Sequence, residues 1–114
     1  MKSLLTAIIR RLMERCKFVA QSEKAIENQI KRYLDSIGAY HIKTHGNMFS
    51  KAGTPDILAC INGTFVAIEV KRPVGRVSPL QKAKIKLIRQ AGGVAFVAHS
   101  LEETKQNLKK FDVI

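Results

Sequence analysis

A mixed α/β fold, with a small sheet flanked by helices, is the architecture this sequence predicts, and three observations predict it. Asn62-Gly63 stands between two apolar, strand-forming runs, Ile57 to Ile61 and Thr64 to Val70; this is the strongest short-range signal for a two-residue hairpin. Val94 to Ala98 is a short, wholly apolar run, the pattern of a buried parallel strand. Between them, Ser78-Pro79 reads as a helix N-cap with proline at the first helical position, so a helix connects the hairpin to that strand. The expected order is α-α-β-β-β-α-β-α.

In residues 1–20, Leu4, Leu5, Ile8, Ile9, Leu12 and Met13 recur at helical spacing with Arg10, Arg11 and Arg15 between them. Arg10-Arg11 cuts the apolar run too short for a signal peptide, and no stretch approaches the ~18 apolar residues of a membrane span. This basic amphipathic helix can pack on a partner chain, lie on a membrane surface or complete the chain's own core. Residues 21–114 look self-sufficient, so a packing or dimerisation helix is favoured.

Ser22 caps the next helix, with Ile26, Ile30, Leu34 and Ile37 as its apolar stripe and Gly38 as its stop. Tyr40, Ile42 and Thr44 alternate as a short strand, and a loop from His45 to Gly53 leads into the hairpin. Pro73 and Gly75 end the hairpin. Leu80, Ala83, Ile85, Leu87 and Ile88 drive the helix that stops at Gly92-Gly93. Ser100 to Glu103 is expected to form a capping box for a last helix, with Leu101, Leu108 and Phe111 facing inward.

A chain of 114 residues is one domain's worth of sequence. Its 20 Lys and Arg against 9 Asp and Glu leave a net charge of +11, which points to a polyanionic partner, usually nucleic acid. With no Trp, two Tyr and five Phe, contact with backbone phosphates is expected rather than base stacking on aromatic platforms. Cys16 and Cys60 form no metal-ligand spacing and read as structural thiols, with Cys60 on a buried strand.

The hairpin register carries the functional argument. If Ile61 faces Thr64, then Asp56 faces Glu69, and Lys71 joins them on the same side. Directly opposed residues have Cβ atoms roughly 4.5–5.5 Å apart, and like charges there are destabilising. The hairpin is otherwise apolar on both faces: Leu58, Cys60, Phe65 and Ala67 share the carboxylate side, and Ile57, Ala59, Ile61, Val66, Ile68 and Val70 the other. Two carboxylates in such surroundings fit a site for a hard cation, which takes oxygen ligands and completes its shell with water and substrate phosphate. Lys43, Lys51, Arg72, Arg76, Lys82, Lys84 and Lys86 surround the motif in sequence as a prospective phosphate-binding rim.

The runs Gly53-Thr54-Pro55-Asp56, Ile68-Glu69-Val70-Lys71 and Ser78-Pro79-Leu80-Gln81 together resemble the VRR-NUC branch of the PD-(D/E)XK nuclease superfamily, over roughly residues 22–108. The resemblance is to its small stand-alone bacterial and phage-type members. It implies a restriction-endonuclease-like fold and a Mg²⁺-dependent DNA endonuclease, with Mn²⁺ as a substitute. Asp56, Glu69 and the Val70 carbonyl would hold the metal, Lys71 would be catalytic, and Gln81 would lie near the metal-bound phosphate. An acid from the helix before the sheet would extend the shell; Glu23, three residues before Ile26, is preferred to Glu27. His41 and His45 are weaker general-base candidates, since the lysine takes that part in the superfamily. The implied partner is branched DNA, above all four-way junctions, processed by a homodimer in the cytoplasm, with no organic cofactor and no membrane. Two other classes stay open: a catalytically silent DNA-binding module and a regulatory protein that holds a partner through its N-terminal helix.

Overall fold

The computed structural model describes residues 4–12, 21–44 and 51–114. The elements are α1 (residues 4–12), α2 (Glu23–Ser36), β1 (Tyr40–Lys43), β2 (Ile57–Ile61), β3 (Thr64–Val70), α3 (Pro79–Gln90), β4 (Val94–Ala98) and α4 (Leu101–Lys110). This is the expected order. The four strands form one sheet in sequence order, antiparallel from β1 to β3 and parallel between β3 and β4. A parallel pair needs a crossover, and α3 supplies it.

The Asn62-Gly63 turn sets the hairpin register. Both residues take positive φ, +50° and +79°, as a type I′ turn requires. Ile61 then pairs with Thr64 and Ile57 with Ile68. One face of the sheet is sealed by α2 and α4: Ile26, Ile30, Leu34 and Leu108 pack with Ile57, Ile61, Val66, Ile68 and Phe96 in a continuous core. Each buried isoleucine or leucine contributes roughly 1.5–3 kcal/mol by leaving water. On the other face Ile85 of α3 packs with Ala67 and Ala95 in a smaller cluster.

The smaller cluster corrects part of the sequence reading. Helix α3 packs mainly on β3 and β4, with Leu58 of β2 at the edge of its cluster, so much of the same face of β1 and β2 is left open. Cys60, expected to be buried, is exposed, and Phe65, Leu80 and Leu87 keep 48%, 47% and 57% of their surface. Ile37 is the C-cap of α2 rather than part of its buried stripe, and Gly38 follows at φ +74° as a left-handed stop. Phe111 is partly exposed but stacks on Phe96, ring centroids 6.4 Å apart.

The capping box falls on a different helix from the one expected. Ser100 Oγ accepts from the Glu103 N–H, but the Glu103 carboxylate turns to His99 instead of the cap's own N–H. The reciprocal box belongs to α3, where Ser78 Oγ accepts from the Gln81 N–H and Gln81 Oε1 accepts from the Ser78 N–H. In α1 the stripe of Leu4, Leu5, Ile8, Ile9 and Leu12 is exposed. Met13, Arg15, Cys16 and His45 lie outside the described residues.

Candidate active site

Asp56 precedes β2 and Glu69 is the penultimate residue of β3, so the hairpin register carries both to one end of the sheet. The Val70 N–H donates to Asp56 Oδ2 at 2.8 Å. That bond extends the ladder's end with a side chain and orients the carboxylate. Thr44 supports the same corner: its N–H donates to the Asp56 carbonyl at 2.9 Å and its hydroxyl to the Pro55 carbonyl at 2.6 Å.

Glu69 is only 2% exposed. Its Oε1 accepts from Gln81 Nε2 at 2.9 Å and lies 3.6 Å from Lys71 Nζ, whereas Oε2 is buried without a hydrogen-bond partner among the described residues. The Gln81 orientation follows from the capping box. Because Oε1 of that amide is committed to Ser78, the NH₂ group is the part left to face Glu69. Burial, and then the Asp56 charge, push the Glu69 carboxyl up to about 7, against the opposing pull of Lys71. A buried carboxylate oxygen with no donor is costly, and it is the natural place for a cation.

The helix preceding the sheet brings a third acid to this corner. A cavity of about 320 Å³ is lined by Glu23, Lys24, Glu27, Lys43, Asp56 and Val70. Glu23 is exposed at the start of α2; Glu27, one turn on, is 5% exposed. Glu27 Oε2 gathers Lys43 at 3.0 Å, Lys24 at 3.3 Å and Lys31 at 3.7 Å. Burial acts to raise its pKa, but the three lysines outweigh it and hold Glu27 below the ordinary carboxylate range. Lys43 is correspondingly raised by its bond to Glu27. The first turns of α2 and α3 thus both border the carboxylate pair, through the shared cavity and through Gln81.

The other candidates are dispersed around this centre. Lys51, Arg72, Arg76 and Lys82 are exposed and Lys84 is half-buried. His41 lies away from the carboxylate pair, with Nε2 2.7 Å from Asp35 Oδ1. The Glu27 cluster was not visible in the sequence, since its shortest bridge comes from a lysine on β1 sixteen residues away. The spacing of Lys24, Glu27 and Lys31 on one helix was the available signal.

The donor set suits a hard cation: two carboxylates and a strand-end carbonyl, with the orphaned Glu69 oxygen among them. Among the described residues no group of three or more His, Cys, Asp and Glu side chains gathers as a metal cluster, so a cation here would draw the rest of its shell from the Val70 carbonyl, water and substrate.

Gly53 shows how closely the motif is packed. It takes φ +80°, and a Cβ there would lie 2.6 Å from Leu80 Cγ and 3.1 Å from the Leu80 carbonyl oxygen. Gly53→Ala should therefore destabilise the protein by about 2–4 kcal/mol and lower any activity by displacing the start of α3, which holds Gln81 against Glu69. Urea unfolding checks this; wild-type stability would refute the packing argument.

The VRR-NUC domain model matches residues 2–102, and the chain belongs to the VRR-NUC domain family, a nuclease-like DNA-processing module. A solved structure described as a VRR_NUC domain is similar in fold, with a TM-score of 0.61 and 24% identity over 82% of this chain and 97% of that one. No curated protein matches the sequence. None of the described helices is long and apolar enough to cross a membrane.

Proposed function

We propose that this protein is a metal-dependent DNA endonuclease. The observation that carries the reading is the buried, partnerless oxygen of Glu69 beside Asp56, in a chain of net charge +11. Asp56, Glu69 and the Val70 carbonyl would hold Mg²⁺ or Mn²⁺, with Glu23 or Glu27 as the outer acid. When bound, the cation supplies Lewis-acid charge for phosphodiester hydrolysis.

The chain's own residues do the rest. Val70 N–H and Gln81 Nε2 orient the two carboxylates, so little reorganisation is needed when substrate arrives. Lys71, 16% exposed in its side chain and beside Glu69, is placed to orient the attacking water and offset the charge that develops on the phosphoryl oxygens. Glu27 differs from Glu23 in being saturated by three lysines on one oxygen. Its part is then to organise the wall of the cavity, leaving exposed Glu23 as the acid able to reach a cation or its water.

Branched DNA is the proposed substrate and a homodimer the proposed form. One chain supplies one carboxylate pair and cuts one strand at a time, so symmetric incision of a four-way junction requires two copies, and a two-fold dimer is the commonest arrangement. The exposed stripe of α1 is a source of apolar interface. The test is incubation of the protein with labelled duplex, flap, single-stranded and four-way DNA, together with its solution mass. Cleavage is expected in Mg²⁺ and Mn²⁺, little in Ca²⁺, whose looser coordination orients water poorly, and none in chelator. Junction cleavage should outpace duplex cleavage. Full activity in chelator refutes the metal mechanism; a strict monomer that nicks duplex as fast as junctions refutes the branched-DNA reading.

A further inference from the structure

Two groups of three cations near the site differ in how they are held. On the α2 side, Lys24, Lys31 and Lys43 all converge on Glu27, so their ammonium groups are anchored to one carboxylate, which offsets one of their three charges. On the α3 side, Lys82, Lys86 and Arg89 form no ion pair among the described residues. Spaced by four and three, they share one flank of α3. Together with Ile85 and Val97 they line a shallow cavity of about 370 Å³. This row begins one residue after Gln81, which touches Glu69, and runs about 10 Å along the helix at 1.5 Å per residue.

Arg89 is held in place at the far end of the row. Its Nε donates to the Ala95 carbonyl at 2.8 Å, and its guanidinium carbon lies 5.9 Å from the centroid of the Phe111 ring. Those contacts use Nε and one face of the group, leaving the two terminal nitrogens for an acceptor such as phosphate. Ile85 and Val97 give the lysine stems an apolar floor while their ammonium groups stay in water.

We propose that the Lys82–Lys86–Arg89 flank of α3 is a phosphate track, along which the nucleic-acid backbone runs from the carboxylate corner, on the side away from α2. The track rests on the nuclease reading of Asp56 and Glu69 and adds the path of the substrate. It assigns Lys86 and Arg89 to phosphate contact and reserves Lys43 for Glu27. A row of cations along the edge strand β4 has another use, to discourage edge-to-edge pairing between copies, and the experiment separates the two.

Metal-free protein is titrated with labelled duplex DNA across a range of salt concentrations. Lys82→Gln/Lys86→Gln is compared with a control of equal charge on the opposite layer, Arg32→Gln/Lys109→Gln. Each lost phosphate contact lowers the slope of log affinity against log salt by about 0.9. The track variant should lose about 1.8 from its slope, and the control should keep the wild-type slope. Equal loss in both variants would overturn the proposal in favour of diffuse attraction. An unchanged slope in the track variant, with new self-association, would overturn it in favour of edge protection. Because binding is read without metal, a wild-type protein that fails to cleave but shows the slope difference would remove the nuclease reading and keep the track.

Discussion

Glu69→Gln is expected to abolish cleavage and, at the same time, to make the metal-free protein more stable above neutral pH. The loss follows from removing one of the two carboxylates that would hold the cation, worth on the order of 10³-fold or more. The gain follows from burial. In the folded, metal-free chain the Glu69 carboxyl is pushed from 4.5 up to about 7, by desolvation first and by Asp56 second. A group whose folded pKa is raised contributes stability that is fully present below 4.5 and is lost as pH rises through about 7. The difference corresponds to roughly 3 kcal/mol. Glutamine stays neutral throughout, can accept from Gln81 and can donate towards Asp56, although it gives up the attraction of Lys71. At pH ~8 the variant should therefore gain roughly 1–3 kcal/mol, and its advantage should vanish near pH ~4. Thermal unfolding at the two pH values checks this. A variant less stable than wild type at both would show that the buried carboxylate is not a strained group.

Lys71→Ala is the second large effect. The ammonium lies 3.6 Å from Glu69 Oε1 and is mostly buried, and among the described residues it is the one cation paired with Glu69. Its removal should lower the cleavage rate by roughly 10²–10⁴-fold while DNA affinity falls little, because affinity comes from the wider cationic surface. Lys71 also holds the Glu69 pKa down. In the variant, metal-free Glu69 should ionise at higher pH than in wild type. Single-turnover kinetics measure the rate, and the pH dependence of metal-free unfolding reports the ionisation; a rate within threefold of wild type would remove lysine from the mechanism.

The sheet and the carboxylate pair were legible because they depend on local rules. Asn62-Gly63 admits essentially one turn, that turn forces Ile61 onto Thr64, and the pairing then carries Asp56 to Glu69 by alternation alone. The start of α3 was legible for the same reason, since Ser78-Pro79 is a cap whatever lies around it. What the sequence hid depends on tertiary placement. Whether Cys60 on β2 is covered is decided by where α3 crosses the sheet, and it crosses over β3 and β4. Gln81 looked like a phosphate neighbour; its place against Glu69 needed the end of β3 and the start of α3 to meet. Glu23 was preferred to Glu27 from the spacing to Ile26, but that Glu27 is the centre of an ionic cluster could be seen only once β1 brought Lys43 to it. Ser100-Leu101-Glu102-Glu103 has the letters of a capping box, yet His99 takes the Glu103 carboxylate.

The central claim is that the opposed pair Asp56 and Glu69 is a hydrolytic centre acting on DNA. The most direct measurement follows a labelled four-way junction in Mg²⁺ with wild-type protein and Asp56→Ala side by side, while junction binding is recorded for both in the absence of metal. Strand cleavage is expected from wild type alone, with the variant binding at least as tightly because a charge that repels phosphate has gone. Cleavage by Asp56→Ala at the wild-type rate would contradict that claim.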